Sequence, residues 1–364
     1  MIEHPDNLEK NKLITFLVCG NGYGHFKRCA KITHSLLNTF YDVSVNFVCN
    51  ESIIKANYDW KILKDLHRFS NFSLIISNKS VRIIDNKINY KDVLKDDFFW
   101  LDKNLIDESN LVISDNNTSI LELRPDTILM GSFLWSEIFS IYADNNLKIK
   151  EYCNYELELL NKYKPNMICL KDMSMPYVEK YTKAFYTDWL VMDRNQIMIK
   201  NKIKNILILG GGTGLVDNII IDILKLIHSK FNIFSNKNIV EKALNRKIII
   251  NEFDFKAGSF KNIDLIIARP GIGILTESVS HAIPIFGICE SKMINKEIKF
   301  NLSRIESLKI GLDVSSNIFN IANLIISIQK NGQYFEFQNN LMHKGTKGIK
   351  QTINFIRKKL DEKK

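Results

Sequence analysis

The sequence predicts an α/β chain built from two tandem, doubly wound, Rossmann-like domains with a cleft between them. Three observations predict it. Short runs rich in Ile, Val and Phe alternate with polar stretches of helical spacing, the pattern of buried parallel strands joined by crossover helices. Glycine-rich turns sit between such a run and the helix after it, at residues 20–24 and 210–214. The same grammar starts again after a polar, basic stretch at residues 194–204, which makes a second doubly wound unit the simplest account.

Taken in order, residues 13–19 (LITFLVC) read as the first strand, 29–38 (CAKITHSLLN) as a helix and 43–49 (VSVNFVC) as the next strand. Residues 111–114 (LVIS) and 127–130 (TILM) add strands to the first half. In the second half, residues 206–209 (ILIL) open the new sheet and 219–230 have helical spacing. Residues 247–250 and 265–267 read as strands, 274–281 as a helix and 284–289 as a strand. No repeat of 20 to 50 residues is visible, which argues against a solenoid.

Composition excludes several classes. Hydrophobic residues at 45% and charged residues at 25%, with only 6 Pro and 16 Gly in 364 positions, rule out a disordered or fibrous chain. The six cysteines are scattered, form no C-x-x-C pair and fall mostly in apolar runs, which fits free thiols in a reducing cytoplasm. The first twelve residues are polar rather than signal-like, and no apolar run approaches about 18 residues, so a spanning helix is not expected. The net charge of +10 is uneven. Residues 1–200 hold 25 Lys and Arg against 26 Asp and Glu, a balance of −1, whereas residues 201–364 hold 25 against 14, a balance of +11. A basic half suits an anionic partner such as a nucleotide phosphate, and a Lys, Asn and Ile coding bias explains it equally.

Three segments carry residues suited to chemistry. GNGYGHFKR, residues 20–28, joins the first strand to the first helix. Its glycines, Gly22 and Gly24 among them, let backbone N–H groups approach a ligand at a helix N-terminus. The segment is neither G-x-G-x-x-G nor a P-loop, and His25 lies where a strand's carboxyl end opens toward a ligand. LGGGTG, residues 209–214, places Gly211, Gly212, Thr213 and Gly214 where backbone donors can wrap a diphosphate, or where glycines merely ease packing. ARPGIGILTESVSHAIP, residues 268–284, ends a strand in Arg269, turns through Gly271 and Gly273, and carries Thr276 and Glu277 in or near the first turn of a helix. Arg269 offers bidentate donors to phosphate and Glu277 can accept from a ribose diol, with a structural capping pair as the alternative.

These three segments, followed by Lys296, Glu297 and Asn301 in NKEIKFN, resemble the two-domain GT-B glycosyltransferases. The branch they most resemble is the family 28 type, similar to the peptidoglycan UDP-N-acetylglucosamine transferase. The resemblance implies that residues 1–200 form an acceptor-side domain and residues 201–340 a nucleotide-sugar-binding domain, with a helix at 341–364 packing back on the first. It implies that the loop histidine, His25, faces the acceptor, and that Gly211 to Gly214, Arg269, Gly271, Gly273, Thr276, Glu277, Glu297 and Asn301 hold a UDP-sugar. Where that family carries a Gln or a Gln pair against the donor sugar, this chain has Lys296 and Glu297. The activity implied is a metal-independent, inverting hexosyl transfer of Leloir type to a glycan or lipid-linked acceptor in surface glycan synthesis. No cofactor, no metal site and no nucleic acid partner are expected. The reaction would run in the cytoplasm, with peripheral contact to an anionic membrane left open for the Lys-rich C-terminal helix.

GYGHFKRC, residues 22–29, also resembles the G-x-G-H-x-x-R loop of the UDP-sugar hydrolase of pseudaminic acid synthesis, which keeps the site and replaces the acceptor by water. Asp115, after the strand at 111–114, is either an acidic partner of His25 or a helix cap. A noncatalytic sugar-nucleotide-binding protein is a further alternative. Nucleic-acid binding lacks zinc, RNP and helix-turn-helix signatures and basic strands with interleaved aromatics. Trp135 in SFLWSEIF either stacks on a sugar or packs in the core, the latter being expected. The acidic pair Asp96–Asp97 reads as a surface turn rather than a metal-binding Asp-x-Asp.

Overall fold

The computed structural model describes residues 11–20, 23–56, 60–77, 103–192, 194, 197, 199–211, 214–256, 258–290 and 295–362. They form two compact units, one of residues up to Asp188 together with those from Lys347 onward, the other Trp189–Thr346.

In the first unit, β1 (Lys12–Leu17), α1 (Tyr23–Thr39), β2 (Val43–Asn50), α2 (Glu51–Ala56), α3 (Lys61–Leu66) and β3 (Phe72–Ser77) make one half of the sheet. The other half contains α4 (Lys103–Asp107), β4 (Leu111–Asp115), β5 (Ile128–Met130), α5 (Trp135–Ala143), α6 (Leu147–Tyr163), β6 (Asn166–Leu170), α7 (Pro176–Tyr181) and β7 (Lys183–Thr187). The order β3-β2-β1-β4-β5-β6-β7 is parallel throughout. Its centre reads as unbroken apolar sequence because crossover helices cover both faces. Every residue of β4, LVISD, is buried. Helix α1 buries Phe26, Cys29, Ala30, Thr33, Leu36 and Leu37, a stripe at the three-and-four spacing that lays one face on the sheet.

The second unit repeats the plan with β8 (Asn205–Leu209), α8 (Asp217–Ile227), β9 (Asn232–Ser235), α9 (Lys237–Leu244), β10 (Asn251–Glu252), β11 (Leu265–Ala268), α10 (Ile272–His281), β12 (Ile285–Gly287), α11 (Lys296–Ser307), β13 (Gly311–Asp313), α12 (Ile321–Lys330) and α13 (Gln333–Met342). The order β10-β9-β8-β11-β12-β13 is again all parallel. One apolar cluster joins Ile206 and Ile208 of β8 to Ile220 and Leu224 of α8, Ile267 of β11 and Ile325 of α12.

Helix α14 (Gly348–Asp361) belongs to the first unit. It buries Ile349, Ile353, Ile356 and Leu360 along one face. Phe355 stacks on Phe185 of β7 with ring centroids 4.1 Å apart. Arg357 binds both oxygens of Asp42 at 2.6 and 2.8 Å, and Lys12 of β1 reaches Asp361 at 2.6 Å.

The segment 247–250, expected as a strand, is not one. Lys247 adopts a left-handed φ of 59° as the chain leaves α9, Ile248 turns inward and Ile249 is 84% exposed. The strand follows at Asn251–Glu252. The expected helix at 219–230 begins earlier, at Asp217, and ends at Ile227. None of the six cysteines forms a disulfide, and only Cys289 is not buried. Among the described residues no helix is long and apolar enough to cross a membrane.

Candidate functional site

In the first unit β1 and β4 lie side by side in parallel, Leu17 opposite Ser114. Their carboxyl ends therefore emerge together, the edge of a doubly wound sheet at which ligands bind. Asp115, the last residue of β4, points at the first turns of α1. Its side chain is fully buried, and His25 Nδ1 lies 2.9 Å from its Oδ1. His25 itself is 14% exposed, and its Nε2 has no protein partner among the described residues. Asp115 is thus the acidic partner of His25 that the sequence left beside the helix-cap alternative.

Arg28 completes the cluster. It stands three residues after His25 on the same face of α1. Its Nε donates to Asp115 Oδ2 at 2.8 Å and its Nη2 to Oδ1, the bidentate fork that guanidinium geometry favours. Cys29 Sγ donates to Oδ2 at 3.2 Å. Burial alone would raise the Asp115 carboxyl, but the charge of Arg28 and the hydrogen bonds from His25 and Arg28 hold it well below the usual carboxylate range. For Arg28 burial opposes the charge, and Asp115 outweighs it, so the guanidinium stays protonated beyond its ordinary value. Burial and the neighbouring carboxylate push the Cys29 thiol up, and burial pushes Cys49 up to about 12. Both thiols stay neutral.

The loop after Asp115 is held with equal care. Asn116 adopts φ 56°, its N–H donates to Met130 O at 3.0 Å, and its own carbonyl accepts from Trp135 Nε1 at 2.8 Å. Trp135 is 7% exposed and stacks on Phe139, centroids 5.5 Å apart, so it packs in the core as expected. Beneath it, the fully buried Glu156 accepts from Thr118 Oγ1 at 2.7 Å and from the Ser136 N–H. Burial raises the Glu156 carboxyl above its ordinary value. Gly24 is exposed at the start of α1, while Gly22 lies outside the described residues.

In the second unit the two glycine-containing turns differ. Gly211 and Gly214 take positive φ, 78° and 70°; Gly212 and Thr213 lie outside the described residues. A methyl group on Gly210 would lie 2.4 Å from Asp217 Oδ1. Asp217 is buried in the first turn of α8 and binds Lys242 Nζ at 2.5 Å. The positive end of α8 is therefore already matched by a carboxylate.

Helix α10 is the opposite case. Gly271 is its N-cap, no acidic residue stands in its first turn, and a methyl group on Gly271 would touch nothing within 4 Å. Gly273 is exposed in the first turn. Arg269 precedes it with Nε 3.8 Å from Glu290 Oε1, too long for a hydrogen bond, and both atoms are buried without a hydrogen-bond partner among the described residues. Asn301 Nδ2, buried, donates to Pro270 O at 2.8 Å and so fixes the turn that carries Arg269 and Gly271. Thr276 and Glu277 fall in the second turn rather than the first, because α10 begins at Ile272. Thr276 Oγ1 donates to Ile272 O at 2.8 Å, and Glu277 Oε2 lies 3.8 Å from His281 Nδ1. Lys296 and Glu297 open α11 behind the N-cap Asn295.

Arg28, quoted within the G-x-G-H-x-x-R loop but given no role, and Glu290, not singled out at all, are the site residues whose parts sequence reasoning missed. The spacing of three between His25 and Arg28 was the available signal for the first; nothing local marked the second. Among the described residues no group of three or more His, Cys, Asp or Glu side chains is placed to hold a metal ion. Asp96 and Asp97 lie outside the described residues.

No protein-family profile matches this chain, and no curated protein matches it in sequence. Solved structures do match. The kitacinnamycin glycosyltransferase superposes with a TM-score of 0.62 at 10% identity, covering 95% of this chain and 98% of its own. A UDP-glucose:anthocyanidin 3-O-glucosyltransferase in complex with UDP gives 0.59 at 10% identity over 97% and 98%. MurG of Acinetobacter baumannii gives 0.59 at 12% identity over 96% and 99%. With its parallel sheets of seven and six strands, the chain has the two-domain GT-B fold of these glycosyltransferases.

Proposed function

We propose that this chain is a metal-independent glycosyltransferase that moves a sugar from a UDP-sugar to a glycan or lipid-linked acceptor with inversion. The observation that carries the proposal is the His25–Asp115 pair at the carboxyl edge of the first sheet. With Nδ1–H donating to Asp115, His25 Nε2 keeps its lone pair and can accept the proton of an acceptor hydroxyl. That oxygen attacks the anomeric carbon as the bond to the diphosphate breaks, and UDP leaves with the bonding pair.

The second unit supplies what the leaving diphosphate needs. The uncapped N-terminus of α10 offers backbone N–H groups and a favourable dipole, and Arg269 adds a fixed cation. Glu277 is the candidate for the ribose hydroxyls. The resemblance to enzymes named for UDP-glucose and crystallised with UDP supports uridine as the base. A role in surface glycan synthesis, and a site on the inner face of the membrane, follow from the same family resemblance.

The test pairs calorimetry with product analysis. The protein is titrated with UDP, GDP, CMP, dTDP and ADP, then incubated with UDP-sugars with and without acceptor glycans. UDP should bind selectively, His25→Ala should lower turnover at least about a hundredfold with UDP affinity nearly unchanged, and EDTA should leave activity intact. Release of free sugar without any acceptor would establish the hydrolase instead. Failure to bind any nucleotide would overturn both.

A further inference from the structure

We propose that Arg28 is a positioning residue that keeps His25 neutral and protonated on Nδ1, by cancelling the charge of Asp115 while filling its remaining hydrogen-bonding sites. The inference rests on the reading of His25 as the proton acceptor. A His–Asp pair alone makes a stronger base, because the carboxylate stabilises the imidazolium. Here that carboxylate is already spoken for. Asp115 has about four lone-pair sites. His25 Nδ1 and Arg28 Nη2 meet Oδ1, while Arg28 Nε and Cys29 Sγ meet Oδ2.

The described residues around His25 come from three elements and the segment after β1. From β4 comes Asp115; from α1 come Arg28 and Cys29; Cys19 follows β1, and Cys49 of β2 lies close enough to interact with Cys29 and Asp115. The Cys29 and Cys49 thiols are neutral. Lys27, next along α1, directs its ammonium over the Trp60 ring at 5.8 Å. Among the described residues, the charged pair in contact with the ring is thus Arg28 and Asp115, with a sum of zero.

Geometry then selects the tautomer. Arg28 Nη2 lies 3.0 Å from His25 Nδ1, and a guanidinium has no lone pair with which to accept. Asp115 Oδ1 at 2.9 Å can only accept. A bare Nδ1 could accept from Arg28 Nη2 but would face the carboxylate lone pair to lone pair at 2.9 Å; Nη2 already donates to that same oxygen, and the charge-assisted N–H to carboxylate bond is the stronger, so Nδ1 carries the proton and Nε2 the free lone pair. Protonating Nε2 as well would place two cations against one buried carboxylate. With that proton on Nδ1, Nε2 is the ring nitrogen left to accept a proton.

The experiment is a ring-nitrogen NMR titration of His25 in the full chain, beside the pH profile of kcat/KM. Arg28→Gln keeps a donor to Asp115 and removes the charge. The midpoint of His25 should rise by about one pH unit or more, and the acidic limb of kcat/KM should move up with it. Arg28→Gln/Asp115→Asn restores a zero sum, and its midpoint should return to within about half a unit of the parent. An unchanged or lowered midpoint in folded Arg28→Gln overturns the proposal. Should that variant not fold, a midpoint in the double variant displaced by more than about one unit does so. The titration needs no substrate. Expected shifts in a protein that never turns over a UDP-sugar would sink the transferase reading and leave this one standing.

Discussion

Gly131 lies so close to Asn116 that a methyl group in place of its hydrogen would sit 1.7 Å from Asn116 Oδ1. The two residues directly follow neighbouring strands, β5 and β4, and Asn116 comes just after the carboxylate that holds His25 and Arg28. The Asn116 side-chain amide is buried and has no hydrogen-bond partner among the described residues. Gly131→Ala should displace it and the left-handed turn with it. Overpacking of this kind costs about 1–3 kcal/mol. Urea unfolding should show that loss, and turnover should fall further than stability alone explains, because Asp115 moves with its neighbour.

Asp115→Ala should be among the most damaging single changes in the first unit. It leaves the Arg28 guanidinium, 13% exposed, without its carboxylate. Breaking a buried pair this way costs about 3–5 kcal/mol. The folded Asp115 carboxyl lies below its unfolded value, so its contribution is complete above about pH 4 and lost as pH falls toward the folded value. Unfolding followed from pH 7 to pH 3 should show a steeper acid loss in the parent than in Arg28→Gln/Asp115→Asn.

Glu156 should behave with the opposite sign. Burial raises its folded pKa, so its carboxyl favours the fold most below about pH 4 and opposes it increasingly as pH rises through the folded value. Glu156→Gln keeps the shape and an acceptor for the Ser136 N–H, and presents its amide to the hydroxyls of Thr118 and Tyr152. It should be near neutral in stability at pH 7 and flatten the pH dependence of unfolding. Glu156→Ala should cost about 3 kcal/mol by stranding those donors and opening a cavity. Equal stability of the two variants would remove this account.

The two helix N-termini of the second unit make a direct comparison. Gly271→Asp puts a carboxylate where a phosphate is proposed to bind, at a position with open space around it. It should weaken UDP binding at least about tenfold with little effect on melting temperature. Asp217→Asn removes a carboxylate from α8 and should lower stability through the lost Lys242 pair, leaving UDP affinity within about twofold. Calorimetric titration with UDP checks both, and the reverse ranking would move the nucleotide to the loop at 210–214.

The central strands were legible in the sequence because a buried parallel strand needs apolar side chains on both faces. LITFLVC, LVIS and ILIL announce themselves that way. The strands at 72–77, 166–170, 183–187, 232–235 and 311–313 were not anticipated. Phe72–Ser77 and Lys183–Thr187 lie at sheet edges, with few fully buried residues between them, and β13 is a three-residue edge strand. At Lys247 a single left-handed residue, which composition does not announce, moved a strand four positions along the chain. Within the site, His25 was legible from its glycine loop. Its bond to Asp115 joins residues 90 apart, and only the strand order 2-1-4 brings them together.

The whole second unit lies in sequence between two parts of the first. Joining Lys12 to Asp361 closes a loop spanning 349 positions, an entropic obstacle that grows slowly with length but is still present. The second unit shortens that journey. Its first residue, Trp189, donates its N–H to the Gly345 carbonyl at 3.1 Å, so once it has folded its entry and exit stand one hydrogen bond apart. Residues 188 and 347 are then delivered as near neighbours, and Gln351 Oε1 accepts from the Asp188 N–H at 2.7 Å. Chain continuity through 189–346 therefore shortens the loop that must be closed to bring α14 onto its sheet.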